Sequence, residues 1–164
     1  GFKFTVETHL NNIDDNMAER LKSASVEWVK FGIESSSKEV LDNVSRYSIA
    51  QNEEKKNIQI LKSHKIKTNA MYIVCQPLDT YETAKKTIEY AIDLKTHLAQ
   101  FSMFTPYPGT PYYEKVKDKQ LTTKNFEDYT QFKLVYNHPI FSQKDARKVL
   151  GDAYSKYYLS KLLF

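Results

Sequence analysis

Short apolar runs alternate with longer amphipathic stretches along the first two-thirds of this chain, and that alternation limits the fold more than any other feature. Phe2 to Glu7, Val26 to Ile33, Lys67 to Val74 and Ala99 to Phe104 are rich in β-branched and aromatic residues and read as strands. Helix signals fill the gaps. Asp14 or Asp15 caps a helix through about Ser23, with Met17 and Leu21 inward. Ser36 or Ser37 caps a short helix holding Val40, Leu41 and Val44. Ala50 to His64 carries an apolar stripe of Ile58, Ile60 and Leu61. Asp79 or Thr80 caps a long helix through about His97, with Ala84, Ile88, Ala91, Ile92 and Leu94 on its buried side. Such repetition makes an α/β fold of parallel strands joined by helical crossovers. The strand ends then gather on one side, so Glu7, Glu34 and the Gln76-Pro77 turn line a common rim.

The pattern changes after Phe104. Thr105 to Pro111 contains three prolines and reads as a rigid loop. Pro111 to Lys119 reads as helical, and Asn125 to Tyr136 is aromatic-rich without a clear period. Ser142 caps a terminal helix holding Ala146, Val149, Leu150, Ala153, Tyr154, Tyr157 and Tyr158. The tyrosines at helical spacing are expected to pack on the sheet.

The 164 residues fit one compact domain or a piece of a larger protein. Gly1-Phe2-Lys3-Phe4 begins inside a strand with no initiator Met or signal peptide, as an excised fragment does. The formal charge of +4 is mild and its lysines alternate with acids, which argues against a nucleic-acid stripe. No apolar run approaches the roughly 20 residues that span a bilayer. Cys75 is the sole cysteine. It forms no internal disulfide and cannot by itself hold an iron–sulfur cluster, and a cytoplasmic address follows by default. His9, His64, His97 and His138 lack partners at metal-ligand spacing, so no metal site is expected. No dinucleotide glycine motif, phosphate-loop lysine or serine-hydrolase elbow is present.

Glu34 is the candidate functional residue. It closes Phe31-Gly32-Ile33-Glu34-Ser35, directly after an apolar strand. A carboxylate at the mouth of a core needs donors or carries a raised pKa. Ligands of α/β proteins bind at the carboxyl ends of parallel strands. The plainer reading makes this segment a helix N-terminus, with Ser35 to Ser37 supplying hydroxyls.

Four segments in order, Val6-Glu7-Thr8, Phe31-Gly32-Ile33-Glu34-Ser35, Ile73 to Thr80 and Phe104 to Thr110, resemble the radical S-adenosylmethionine enzymes. The branch that often carries an upstream cobalamin-binding domain is the most similar. The resemblance implies an incomplete (β/α) barrel of about four parallel strands: residues 1–110 as the later half of the barrel, residues 111–164 as a helical extension packed on it. It implies S-adenosylmethionine and a [4Fe–4S] cluster as cofactors of the parent protein, with cobalamin in part of the branch. The CxxxCxxC ligands of that cluster do not occur here, so the segment is expected to be inactive alone.

The resemblance further places Glu7 near cofactor or substrate and Glu34 at the ribose, where a carboxylate accepts two hydroxyl hydrogen bonds. Ser35 assists or caps, and Arg46 pairs with the methionine carboxylate. Phe104 and Thr105 line an apolar slot beside adenine. Met71 stands where some relatives keep an acid. Cys75 and Leu78 replace two glycines of the Gly-x-Pro-Gly-Glu-Thr pattern, while Asp79 and Thr80 keep the cap.

The catalytic residues are not readable. The implied partners are the other half of the barrel and a small-molecule or lipid substrate, with no nucleic-acid or membrane signal. The rivals are another barrel enzyme using Glu7 and Glu34 as an acid–base pair and a non-catalytic binding or scaffold module. Two expectations follow. The strand Phe2 to Glu7 exposes an edge, shielded by the tail helix or by a second copy in a homodimer. The isolated chain binds S-adenosylmethionine weakly or not at all.

Overall fold

The computed structural model describes residues 1–162. Four strands, β1 (Phe4–Glu7), β2 (Val26–Glu34), β3 (Lys67–Val74) and β4 (Leu98–Met103), form one all-parallel sheet in the order β1-β2-β3-β4. Six helices connect and follow them: α1 (Asp15–Ser23), α2 (Lys38–Asn43), α3 (Gln51–Ser63), α4 (Tyr81–Leu94), α5 (Pro111–Val116) and α6 (Gln143–Ser160). The expected α/β class and strand count stand. No helix among the described residues is long and apolar enough to cross a membrane.

The helix starts follow from side-chain caps that satisfy orphan backbone N–H groups. Asp14 accepts from Met17 N, and Ser37 accepts from Val40 N. Thr80 with Thr83 and Ser142 with Asp145 form reciprocal capping boxes. Thr110 caps α5 with Pro111 in its first turn. Helix ends are harder to read because the chain holds only four glycines. Non-glycine residues therefore take left-handed backbone positions, among them Ser25, Ser45, Lys65 and Lys95. Lys95, at φ 49°, stops α4 at Leu94 rather than near His97. The first strand likewise begins at Phe4, not Phe2.

Strand side chains alternate between two faces. Val29, Phe31, Ala70, Tyr72, Val74, Ala99, Phe101 and Met103 point under the helices and are buried. They join Ile58 and Leu61 of α3, Ala84 and Ile88 of α4, and Ala146, Leu150, Ala153 and Tyr157 of α6 in one continuous core. The tail and the sheet thus share a core across residue 110. The opposite face presents Trp28, Lys30 and Gly32 of β2, Asn69 and Met71 of β3, and Gln100 of β4. This second face is where a ligand can meet the sheet.

The two edges of the sheet are treated differently. Along β4, α6 lays down three tyrosine hydroxyls. Tyr154 Oη accepts from Phe101 N at 3.1 Å and donates to Phe101 O at 2.9 Å. Tyr158 Oη donates to Ala99 O at 3.0 Å, and Tyr157 Oη donates to Thr96 O at 2.6 Å. Met103 N finds Gln131 O at 2.7 Å. Backbone groups that would recruit another strand are thereby satisfied. The tyrosines do more than pack, as the sequence suggested; they seal an edge. At the other end, among the described residues, β1 pairs only with β2, and Phe2 and Phe4 are 88% and 53% exposed. Shielding of that edge by the tail helix is overturned, because α6 packs on β4 and α4, across the sheet from β1.

One buried acid lies in the helical layer. Glu54 of α3 is 6% exposed and accepts from Tyr90 Oη of α4 at 2.5 Å. Burial pushes its carboxyl above the ordinary value, and the tyrosine bond only partly offsets this. A raised carboxyl pKa in the fold means that the ionised form is disfavoured there. The penalty is full above the folded pKa and fades as pH falls through it towards the unfolded value. Glu54→Gln is therefore expected to raise the unfolding temperature at pH 8, with the gain shrinking towards pH 4. Thermal unfolding of both proteins at the two pH values checks this; a gap independent of pH would contradict it.

Candidate functional site

The site is built at the carboxyl end of β2. Gly32 and Glu34 bracket a slip in register against β3, where Gly32 pairs with Met71 and Glu34 with Tyr72. Glu34 leaves the strand at φ 66°, a left-handed conformation that costs a non-glycine residue about 1 kcal/mol. This turn folds the carboxylate back over Gly32. A Cβ placed on Gly32 would lie 2.1 Å from Glu34 Oε1 and 2.8 Å from an Arg46 guanidinium nitrogen. Glycine is thus the residue that lets the acid and the arginine rest against the sheet.

Arg46 is aimed by the end of α2. Ser45 adopts φ 56°, Arg46 N bonds Leu41 O at 2.9 Å, and Ser45 N bonds Asp42 O at 3.0 Å. These two bonds are a Schellman motif, which turns the chain back sharply after a helix. The guanidinium then reaches Glu34 Oε1 at 3.1 Å, with the two side chains 32% and 16% exposed. Burial pushes the Glu34 carboxyl above its ordinary value; Arg46 pulls it down, and the charge of Glu7 pushes it up. The structure gives Glu34 Oε2 no protein partner among the described residues. An acid with one oxygen held by arginine, and little of its side chain exposed, is prepared to accept hydrogen bonds from a ligand.

The remaining candidates divide into two groups. Glu7 lies opposite Lys30 in register, on the Gly32 face, close enough to perturb Glu34. Glu7, Glu34 and Arg46 therefore converge. Ser35 does not join them: it is buried, its hydroxyl meets Thr87 Oγ1 at 3.3 Å, and it accepts from Ser37 N. Its role in the fold is to tie the loop to α4. Phe104 packs edge-on against Tyr112 and Tyr136, and its N extends the ladder to Val74 O. Thr105 Oγ1 donates to Met103 O at 3.2 Å. Both stand half-buried at the end of β4, in contacts of their own.

The loop after β3 keeps a glycine-like shape without glycine. Cys75 sits at φ 57°, is fully buried, and its carbonyl accepts from Tyr136 Oη at 2.8 Å. Burial pushes its thiol up to about 12, so it is inert at neutral pH. Asp79 is buried and accepts from Gln76 N and Thr83 Oγ1. His138 Nε2 donates to Gln76 O at 2.8 Å while Nδ1 accepts from Ile140 N and Phe141 N. That fixes one neutral tautomer as a clamp on the loop, a role the sequence did not announce. A cavity of about 500 Å³ is lined by Thr122, Leu134, His138 and Gln143 and contains none of the converging charges. Among the described residues no three His, Cys, Asp or Glu side chains gather as a metal site.

No known protein family scanned matches the chain. Individual proteins do. An uncharacterised methyltransferase of Pyrococcus horikoshii is 29% identical over 157 residues, covering 95% of this chain and 34% of the relative. An anaerobic magnesium-protoporphyrin IX monomethyl ester cyclase of Rubrivivax gelatinosus is 30% identical over 132 residues, covering 79% of this chain and 23% of the relative. The chain thus spans about a third or less of these curated relatives. Among solved structures, the radical S-adenosylmethionine methyltransferase TsrM from Kitasatospora setae, with cobalamin and a [4Fe–4S] cluster bound, superposes with a TM-score of 0.74 at 16% identity, over 93% of this chain and 36% of that one. Coproporphyrinogen III oxidase (HemN) from Escherichia coli, a radical SAM enzyme, gives 0.66 at 14% identity, over 96% of this chain and 32% of that one. The chain shares the fold of these radical S-adenosylmethionine enzymes over about a third of their length.

Proposed function

We propose that this chain supplies the S-adenosyl-binding wall of a radical S-adenosylmethionine methyltransferase or cyclase. The observation that carries the reading is the Gly32 cradle, which holds a desolvated carboxylate and its arginine against the ligand face at the strand carboxyl ends. Glu34 Oε2 accepts a ribose hydroxyl. Arg46 fixes the carboxylate and keeps further donors for the methionyl carboxylate. Glu7 stands at the rim, and Phe104 and Thr105 form the adenine side. When bound, S-adenosylmethionine and its [4Fe–4S] cluster supply one-electron radical chemistry. The cluster ligands come from outside these 164 residues, which contain one cysteine, buried and inert. Similarity to an uncharacterised methyltransferase and the fold shared with TsrM support methyl transfer, with cobalamin as a further cofactor of the whole protein. The bare β1 edge is where the rest of the barrel docks. Retention of a glycine-like backbone at Cys75 supports a working ligand loop over a scaffold that has lost its site.

The test is a nuclear magnetic resonance titration of the ¹⁵N-labelled chain with S-adenosylmethionine. Saturable shifts are expected at Gly32 to Ser36, Arg46 and Phe104 to Tyr107, with roughly millimolar affinity. Glu34→Gln, which loses the charge-assisted acceptor, is expected to weaken binding about tenfold. Absence of shifts at these residues up to 10 mM, on the order of a −3 kcal/mol floor, would overturn the reading.

A further inference from the structure

We propose that the ligand face carries a second polar subsite, one row below the Glu34–Arg46 pair, in which Lys30 and Asn69 hold an alcohol hydroxyl. The inference rests on the reading of that face as the ligand face.

Register places the residues. Glu7 pairs with Lys30, Lys30 with Asn69, and Asn69 with Leu98, so these side chains form one row across all four strands. The next row towards the strand ends is Gly32, Met71 and Gln100. Because side chains alternate, both rows project from the face opposite the helices.

Asn69 is only 9% exposed, and its Oδ1 has no hydrogen-bond partner. Buried amide oxygens are almost always bonded, so an orphan calls for an explanation. Three other buried polar atoms share this condition, Tyr72 Oη, Tyr129 Oη and Gln143 Nε2, but none belongs to the ligand-facing row. Lys30 stands beside Asn69, half-buried, and its ammonium makes no ion pair among the described residues, although Glu7 is its neighbour on the other side.

The two groups together select a ligand chemistry. Asn69 Oδ1 needs a donor; Lys30 Nζ needs an acceptor. A carboxylate would satisfy the lysine but brings no hydrogen for the unpaired amide oxygen. An ammonium would satisfy the amide and be repelled by the lysine. A hydroxyl serves both, donating to Asn69 and accepting from Lys30. Two sources carry that group, the ribose of the S-adenosyl ligand and an alcohol of the substrate.

The experiment follows the Asn69 side-chain amide, assigned by its loss in Asn69→Leu, in the ¹⁵N-labelled chain. The probes are glycerol, sodium acetate, adenosine, and 2′- and 3′-deoxyadenosine. Glycerol is expected to shift the Asn69 amide saturably and acetate to leave it unmoved. Lys30→Met is expected to weaken the glycerol response at least fivefold. If ribose is the source, adenosine shifts Asn69 and one deoxy form does not. If the substrate is the source, neither nucleoside moves it while glycerol does. Asn69→Leu, which removes the orphan oxygen, is expected to raise the unfolding temperature by about 2–6 °C. A response to acetate instead of glycerol, silence to every probe at 200 mM, or a lower unfolding temperature for Asn69→Leu would overturn the subsite. Shifts at Glu34 and Arg46 with S-adenosylmethionine, read in the same spectra, do not depend on Asn69. Their loss would instead remove the reading of the face itself.

Discussion

Gly32→Ala is expected to leave the fold standing and remove the ligand response at Glu34 and Arg46. The added Cβ would sit 2.1 Å from Glu34 Oε1 and 2.9 Å from its Cδ, inside any tolerable contact. Both obstacles are the far ends of flexible side chains, and Gly32 does not occupy a left-handed backbone position. The clash therefore resolves by expelling the carboxylate and the guanidinium from the sheet, not by breaking a strand. Expulsion returns Glu34 to water and relieves its desolvation, which offsets much of the lost ion pair, as losing both partners of a buried pair can be nearly neutral. The net change in stability is expected within about 1 kcal/mol, or a few degrees in unfolding temperature. Binding has no such offset, because the acceptor and its arginine are no longer in place. S-adenosylmethionine affinity is expected to fall at least tenfold, beyond that of Glu34→Gln, which keeps the geometry. Thermal unfolding and the titration together decide the case. An alanine protein that binds like the parent would mean that the cradle serves only the fold.

Much of this site was legible in the sequence, for a physical reason. The strand–helix rhythm fixes the topology, and topology carries Glu7 and Glu34 to one face. Asp79, Thr80 and Ser142 announced their helices because capping is local chemistry. Glu34 was conspicuous as an acid closing an apolar strand. What the sequence hid depends on tertiary approach. Arg46 meets Glu34 through a Schellman turn made by Ser45, a residue without the usual glycine signal. Ser35 looks like a ligand residue by position, but its hydroxyl is claimed by Thr87, 52 residues away. Asn69 and Lys30 become a pair only through register. His138 clamps a loop 62 residues upstream, and no spacing rule predicts that. The helix end at Leu94 is hidden for the same reason as the contact between Arg46 and Glu34: left-handed positions here are filled by lysine, serine, cysteine, glutamate and glutamine.

The largest expected stability effect is at Phe101, where the tail helix and the sheet meet. Phe101 is fully buried, stacks on Tyr72 at 5.1 Å, and receives Tyr154 and Tyr157 edge-on at 5.4 and 6.1 Å. Its backbone N–H and C=O are both taken by Tyr154 Oη. Phe101→Ala removes the ring that α6 packs on while leaving that backbone capping chemically intact. Large-to-small changes of buried aromatics cost about 3–5 kcal/mol, with the spread set by how far the site collapses. Here the neighbours are three aromatic rings on two elements, which cannot all move inward, so the upper half of that range is expected. In a domain of this length that lowers the unfolding temperature by roughly 10 °C. Tyr154→Phe is the companion variant. It keeps the ring and strips the hydroxyl, leaving two edge-strand groups unpaired at about 1–3 kcal/mol. Differential scanning calorimetry should show one transition shifting in both variants, because residues on either side of position 110 share a core. Two separate transitions, with only the smaller displaced, would mean that α6 folds as its own unit and that the sealed edge of β4 is a docking contact instead of part of the core.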